Sequence, residues 1–182
     1  MTESNQEETI FTIGHSVRSI EEFIALLKSH AIELVVDVRT VPRSRRNPQF
    51  AIDAMPQSLA AADIAYRHMP SLGGLRHPRR DSENDGWRNP SFRGFADYMQ
   101  TAEFDAGLNE VIALAGKQRL AIMCAEAVPW RCHRSLIADA LTVRGISVKH
   151  ITSLAPASPH RLTPFARIQG NRIIYPSVDR NS

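Results

Sequence analysis

A chain of 182 residues with 43% hydrophobic and 23% charged content has the make-up of one ordinary globular domain, large enough to bury its own core. No apolar run approaches the roughly 18 residues that span a bilayer, and the polar, acidic residues 1–8 lack the apolar stretch of a secretion signal. These features predict a disordered N-terminus over 1–8, no membrane partner and a cytoplasmic location. Two cysteines are too few for a disulfide framework, so the thiols are expected to be reduced. The net charge of +3 conceals a bias: of 22 basic residues only Lys28, Lys117 and Lys149 are lysines. Arginine is the better residue for bidentate recognition of phosphate or carboxylate.

Thr9 to Ile13 reads as a β-branched strand that stops at Gly14-His15-Ser16. Ser19 with Glu22 three residues on marks a helix start, and Ile20, Phe23, Ile24 and Leu27 supply its apolar stripe. The nearly continuous apolar run 33–38 predicts a strand covered on both faces. An arginine-rich, proline-punctuated loop follows over 39–48, then a helix over 56–62 and a strand over 65–69. Residues 70–90 form a long polar segment with Gly73-Gly74 and Arg79-Arg80; loops of this length are usually functional or mobile. Two helices are expected over 92–100 and 103–117, then a strand over 119–123 and a helix over 135–144 with Gly145 at its C-terminal stop. A strand over 146–151 precedes a proline-rich stretch, 153–182, with a short strand at 172–175.

Strands alternating with helices predict βαβ units, and so a single three-layer, Rossmann-like α/β domain with a mostly parallel sheet. Residues 9–152 form that domain, with 153–182 as an extension packed on it. In such a sheet the residues after each strand converge on one edge, where open α/β folds bind ligands. Gly14, His15 and Ser16, then Asp37 and Arg39, then Gly73 and Gly74, then Cys124 and Glu126 all fall there.

The richest of these segments is the eleven-residue run Cys124 to Arg134, which holds both cysteines, Glu126, Trp130, Arg131, His133 and Arg134. Cys124 is either a small core thiol or a nucleophile whose thiolate the next helix N-terminus and nearby cations favour. Cys132, read in the first helical turn and in phase with Leu136 and Ala140, points to packing; it becomes a resolving thiol if Cys124 lies within disulfide reach. Arg131, His133 and Arg134 put cations where the helix dipole opposes them. A bound anion removes that conflict; the alternative is that the side chains point to solvent or pair with Glu126 or Asp139. The run is similar to the thiolate loops of rhodanese and cysteine phosphatases, but its Cys124-to-Arg131 spacing is one residue longer than the phosphatase loop and Glu126 repels phosphate.

Asp37 beside Arg39 is either a satisfied ion pair or a group that orients a ligand-binding arginine or a metal. Arg43, Arg45 and Arg46 form a basic loop, and Tyr66, Trp87, Tyr98 and Trp130 offer stacking surfaces, although Tyr98 follows Phe95 at core spacing. No nucleic-acid-binding signature and no C-x-x-C metal pair is present. A metal site on His15, Asp37, Cys124 and His133 is the remaining option for an ion.

The chain resembles the bacterial family catalogued as domain of unknown function 488. The resemblance rests on Thr12 to Ser16, Asp37-Val-Arg39 with Pro42 to Arg45, Leu72 to Gly74, Phe95 to Met99, Cys124 to Glu126, Cys132 to Arg134, Leu162 to Arg167 and Tyr175-Pro176, from about Thr9 to Pro176. It implies one cytoplasmic α/β domain with this motif cluster, and no activity, substrate or cofactor.

The expectation is an enzyme that holds a phosphate- or carboxylate-bearing small molecule or nucleotide at the strand ends. Cys124, Glu126 and His133 are its catalytic candidates. Gly14, His15, Ser16, Asp37, Arg39, Gly73, Gly74, Arg131, Cys132 and Arg134 are its substrate-binding candidates. No cofactor is assigned and no metal ligand is chosen. The alternative is a non-catalytic module that binds anions or nucleic acid.

Overall fold

The computed structural model describes residues 8–178. Five parallel strands form the sheet: β1 (Thr9–Gly14), β2 (Leu34–Asp37), β3 (Ala65–His68), β4 (Leu120–Cys124) and β5 (Ser147–Ile151). A two-residue strand, β6 (Ser158–Pro159), pairs antiparallel at one edge, giving the order β3-β2-β4-β1-β5-β6. This is the Rossmann-like, mostly parallel α/β fold that the alternating pattern predicts. A separate antiparallel hairpin, β7 (Arg167–Gln169) and β8 (Arg172–Ile174), lies in the extension. The sequence reading has only its second strand, because β7 is exposed and carries no apolar alternation.

Helices cover both faces because the strands alternate. Phe11, Ile13, Val35, Ala121 and Met123 pack with Phe23 and Leu27 of α1 (Ile20–Ser29) and Leu59 of α2 (Met55–Ala61). Ile10, Leu34, Val36, Leu120 and Ile122 join the opposite core. Phe95 of α3 (Pro90–Tyr98), Leu108 of α4 (Ala102–Ala115) and Leu136 of α5 (Arg134–Val143) lie in that core too. Ser19 caps α1 by accepting from the Glu22 N–H at 3.1 Å. Gly145, at φ +81°, turns the chain after α5 in a conformation that suits glycine. α3 starts earlier than its apolar stripe suggests, because Asn89 caps it and Pro90 opens it.

The expected disorder of 1–8 lies outside the described residues except for Glu8, as do residues 179–182 of the extension. The described part of the extension is tied to α5 by one carboxylate. Buried Asp139 accepts from His160 Nε2 at 2.7 Å, Thr163 Oγ1 at 2.7 Å, the Thr163 N–H at 3.1 Å and the Tyr175 hydroxyl at 2.8 Å. The chain of bonds runs back into the sheet. His160 Nδ1 lies 2.8 Å from His150 Nε2, and His150 Nδ1 lies 2.6 Å from Thr12 Oγ1, both within hydrogen-bond distance. Tyr175 and Phe165 close over Trp87, with ring centroids 5.5 and 4.9 Å away. No helix among the described residues is long and apolar enough to cross a membrane.

Removing this anchor leaves buried donors without an acceptor. Asp139→Ala is expected to lower unfolding free energy by about 3–5 kcal/mol. Denaturant titration followed by Trp87 fluorescence checks it, since the ring sits under the extension. A loss below about 1 kcal/mol would contradict the anchoring role.

Candidate functional site

The strand order sets the position of the site. The chain leaves β1 toward β2 on the α1 side of the sheet and leaves β4 toward β5 on the α5 side. Because β1 and β4 are neighbours, with Gly14 opposite Cys124, their onward loops part and open a crevice between them. The loops run together for two residues first: the His15 N–H donates to the Cys124 carbonyl at 3.0 Å and the Ser16 N–H to the Ala125 carbonyl at 2.9 Å. Ser16 then takes a left-handed conformation, φ +51°, and turns the chain away.

The crevice has a volume of about 930 Å³. Of the residues expected at the site, His15, Ser16, Arg39, Gly74, Cys124, Glu126, Arg131, Cys132 and His133 line it. Gly14, Asp37, Gly73 and Arg134 lie behind that lining and do not face it. The sequence reading misses Asn47 from the loop after β2, and Asn89, Ser91 and Phe92 from the start of α3. The early α3 start at Asn89-Pro90 was the available signal for the last three.

Asp37 and Arg39 form the buried ion pair that was one of the alternatives. Arg39 Nε donates to Asp37 Oδ1 at 2.9 Å, and its Nη2 to Oδ2 at 2.8 Å and to the Phe50 carbonyl at 2.8 Å. Tyr66 donates to the same carboxylate at 2.5 Å. Only Arg39 Nη1 is left for the cleft, and it points at His15 Nε2, 3.3 Å away. His15 donates from Nδ1 to the Ser16 carbonyl at 2.8 Å and stacks on Phe50. Burial, reinforced by the charges of Arg39 and Arg18, holds His15 neutral with a pKa of about 4.

The 124–134 run differs from its sequence reading. A short 3-10 turn, Pro129–Arg131, comes first, and α5 begins only at Arg134. Cys132 therefore precedes the helix and does not sit in its first turn, because Pro129 starts a tighter turn that uses up the intervening residues. Of the three basic residues expected in that first turn, only Arg134 is a helical cation. Arg131 is exposed on the 3-10 turn, and His133 is the uncharged residue flanking the helix.

His133 ties three loops together. Both acceptors of its Nε2 are carbonyls, Leu72 at 3.0 Å and Val38 at 3.2 Å, so that nitrogen carries the proton. Its ring fills the space above Gly74, where a Cβ would lie 2.5 Å from Nδ1. Burial outweighs those hydrogen bonds and, with the Arg134 and Arg76 charges, lowers its pKa to about 4. The ring is thus a neutral strut whose other nitrogen, Nδ1, accepts from the Cys132 thiol at 3.5 Å.

Arg134 is fully buried and pairs with neither Glu126 nor Asp139. Its Nη2 donates to the Ala127 carbonyl at 3.0 Å, while Nε and Nη1 have no hydrogen-bond partner. Gly14 makes room for it: a Cβ there would meet the Glu126 carbonyl at 1.6 Å and Arg134 Nη1 at 2.9 Å. Gly73 packs similarly against Thr40.

The two thiols share this environment. The Cys132 side chain hydrogen-bonds that of Cys124, and the Cys124 thiol donates to the Glu126 carbonyl at 3.5 Å. Burial pushes the Cys124 thiol up, but the Cys132 hydrogen bond, the Arg134 charge and the Glu126 backbone outweigh it and hold the thiol below its ordinary range. The Cys132 thiol is pushed well up by its interaction with Cys124 and by burial. Glu126 is exposed at the cleft mouth. Among the described residues no group of three or more His, Cys, Asp or Glu side chains is placed to hold a metal ion. His15 and His133 are committed elsewhere, which removes the four-residue metal option.

Fold and site define a Rossmann-like α/β domain with a thiol- and arginine-bearing crevice at its topological switch point. The chain belongs to the family described as Domain of unknown function DUF488, whose model matches residues 19–141. The match is narrower than the resemblance, which begins before Gly14 and extends to Pro176. No curated protein and no solved structure matches the chain.

Two outcomes follow from the buried groups. His15, His133 and His150 stay neutral in the fold; burial, with the His160 and Arg134 charges, lowers His150 to about 3. The unfolded chain protonates these rings below about pH 6.5. Their contribution is therefore complete above that pH and is lost as pH falls toward 4, at about 1.4 kcal/mol per pH unit for each ring. Urea midpoints measured at pH 7 and pH 5 check this, and equal midpoints would contradict it. Gly14→Ala forces the Glu126 backbone and Arg134 apart, at a cost of about 3 kcal/mol in the same titration.

Proposed function

We propose that the protein is an enzyme that holds an anionic small molecule, phosphate- or carboxylate-bearing, in the switch-point cleft and attacks it with the Cys124 thiolate. The observation that carries the reading is Arg134, a buried guanidinium with two unpartnered nitrogens beside a pair of thiols at the end of β4. A guanidinium stays charged at any working pH, and burying it without an anion costs several kcal/mol. A thiolate at Cys124 offsets that cost, and it is the reactive form of the side chain.

The polarity of the cleft supports an anionic ligand. Among the described residues its lining holds three arginines, Arg39, Arg43 and Arg131, against one carboxylate, Glu126. Arg43 and Arg131 are exposed and have no ion pair among the described residues, which suits them to meet the ligand. Asn47, Asn89, Ser16, Ser44 and Ser91 add neutral hydrogen-bonding groups. Glu126, at the mouth, takes or returns a proton, whereas His133 positions the loops and leaves proton transfer to others.

Reaction of the reduced protein with iodoacetamide across pH tests the nucleophile. Cys124 is expected to titrate below the same thiol in the urea-unfolded chain, and Cys132→Ala to move the midpoint up. Coincident folded and unfolded midpoints would end the reading. Inorganic phosphate is expected to slow the alkylation, with the protection weakened at least several-fold in the double variant Arg43→Ala, Arg131→Ala. A second reading, nucleic-acid binding without catalysis, draws on Trp130. This ring is 70% exposed and adjoins exposed Arg131 in the chain, and Arg131 shares the cleft lining with exposed Arg43. A mobility shift with single-stranded RNA or DNA that weakens with salt would favour it, and no shift at low salt would remove it.

A further inference from the structure

The segment that walls the cleft between β4 and α5 begins and ends on a thiol. Cys124 closes the strand and Cys132 precedes the helix, and the chain between them exposes Glu126 and Arg131 at the cleft mouth. The excursion comes back on itself: the two cysteines share one buried cluster and one cleft, and each acts on the other's ionisation. Both thiols are free and both line the cleft. They are otherwise shielded, at 1% and 7% exposed, so a reagent reaches them through the cleft and a second chain does not.

Nucleophilic attack by Cys124 needs only something to donate a hydrogen bond at position 132, and an alcohol would serve. A thiol there adds a different capacity. It lines the same cleft as the reactive sulfur, and its hydrogen bond to a neutral imidazole nitrogen, His133 Nδ1, at 3.5 Å holds it in place. A nucleophilic sulfur and a neighbouring second thiol are the parts of a dithiol–disulfide couple.

We propose that Cys124 and Cys132 form a reversible disulfide within one chain when a small hydroperoxide enters the cleft. The proposal rests on the reading of Cys124 as the nucleophile. The Cys124 thiolate attacks the terminal oxygen of the hydroperoxide; the S–O bond forms, the O–O bond breaks, and the alkoxide or hydroxide leaves and takes a proton from water. The peroxide is reduced by two electrons and Cys124 becomes a sulfenic acid. Cys132 then attacks the Cys124 sulfur and gives up its proton. The S–S bond forms, the S–O bond breaks, and hydroxide departs with that proton as water. A small-molecule thiol restores both cysteines by exchange and ends as its own disulfide. While the bond stands, the cleft has lost its nucleophile and Arg134 its anion.

Titration of the reduced full chain with hydrogen peroxide, read by intact mass and non-reducing peptide mapping, tests this. The expected product has lost about 2 Da, with the Cys124 and Cys132 peptides joined in a monomer and dithiothreitol reversing the change. Cys132→Ser is expected instead to gain about 16 Da at Cys124, as a sulfenic acid that dimedone captures. In Cys124→Ser, Cys132 is expected to stay unoxidised under the same dose. The wild-type mass alone decides the matter if either variant fails to fold. A gain of about 32 Da at Cys124 with Cys132 still free, or cross-links between chains, would overturn the proposal. If Cys124 still alkylates below its unfolded midpoint in that case, only the disulfide fails and the nucleophile stands. If the midpoints coincide as well, both fail.

Discussion

A guanidinium that cannot lose its charge sits at the start of α5 with no carboxylate beside it, and the architecture around the cleft follows from accommodating it. Arg134 is fully buried and keeps one backbone carbonyl bond. Its charge cannot be removed by a shifted pKa, as a buried lysine's can. An anion close by would balance it, and in the proposed reading a Cys124 thiolate is that anion. Gly14 is a glycine because the guanidinium and the Glu126 carbonyl occupy the space a side chain would take. Cys132 acts on the ionisation of the same sulfur, and His133 holds the three loops that frame it.

The second constraint is topological. β1 and β4 are adjacent and parallel, yet their loops leave toward opposite faces, so the backbone itself creates the crevice. The extension closes the far side of α5 through Asp139, and the same helix presents Arg134 to the thiols. Charge at Arg134 reaches both ends of this arrangement: it depresses the Cys124 thiol on one side and opposes protonation of His150 on the other. The cleft and the anchor are thus two sides of one buried cation.

Much of this was readable in the chain. Apolar runs and helical stripes located every helix and every parallel strand within about three residues, most clearly β1, β2 and β4, which are covered by helices and have to be apolar. The convergence of Gly14 to Ser16, Asp37, Arg39, Gly73-Gly74 and Cys124 on one edge followed from strand polarity alone. What the sequence did not carry was the direction in which side chains point. Arg134 and Arg131 look alike as letters, yet one is buried and the other exposed. That difference arises from the 3-10 turn at Pro129, which shifts the phase of everything up to α5. The His150–His160–Asp139 relay was missed for a related reason. Asp139 sits in an otherwise apolar helix, and its partners lie in an extension whose docking is set by contacts far apart in sequence.

The central claim is that the buried Arg134 charge is balanced by a thiolate at Cys124. Thiolate absorbs in the near ultraviolet where thiol does not, so a pH titration of that absorbance on the reduced, folded chain measures the balance directly. The account predicts one thiolate per chain appearing at lower pH than in the urea-unfolded protein and missing in Cys124→Ser, with the second thiol resisting ionisation well above that pH. Two thiols ionising together, at the pH of the unfolded chain, would contradict it.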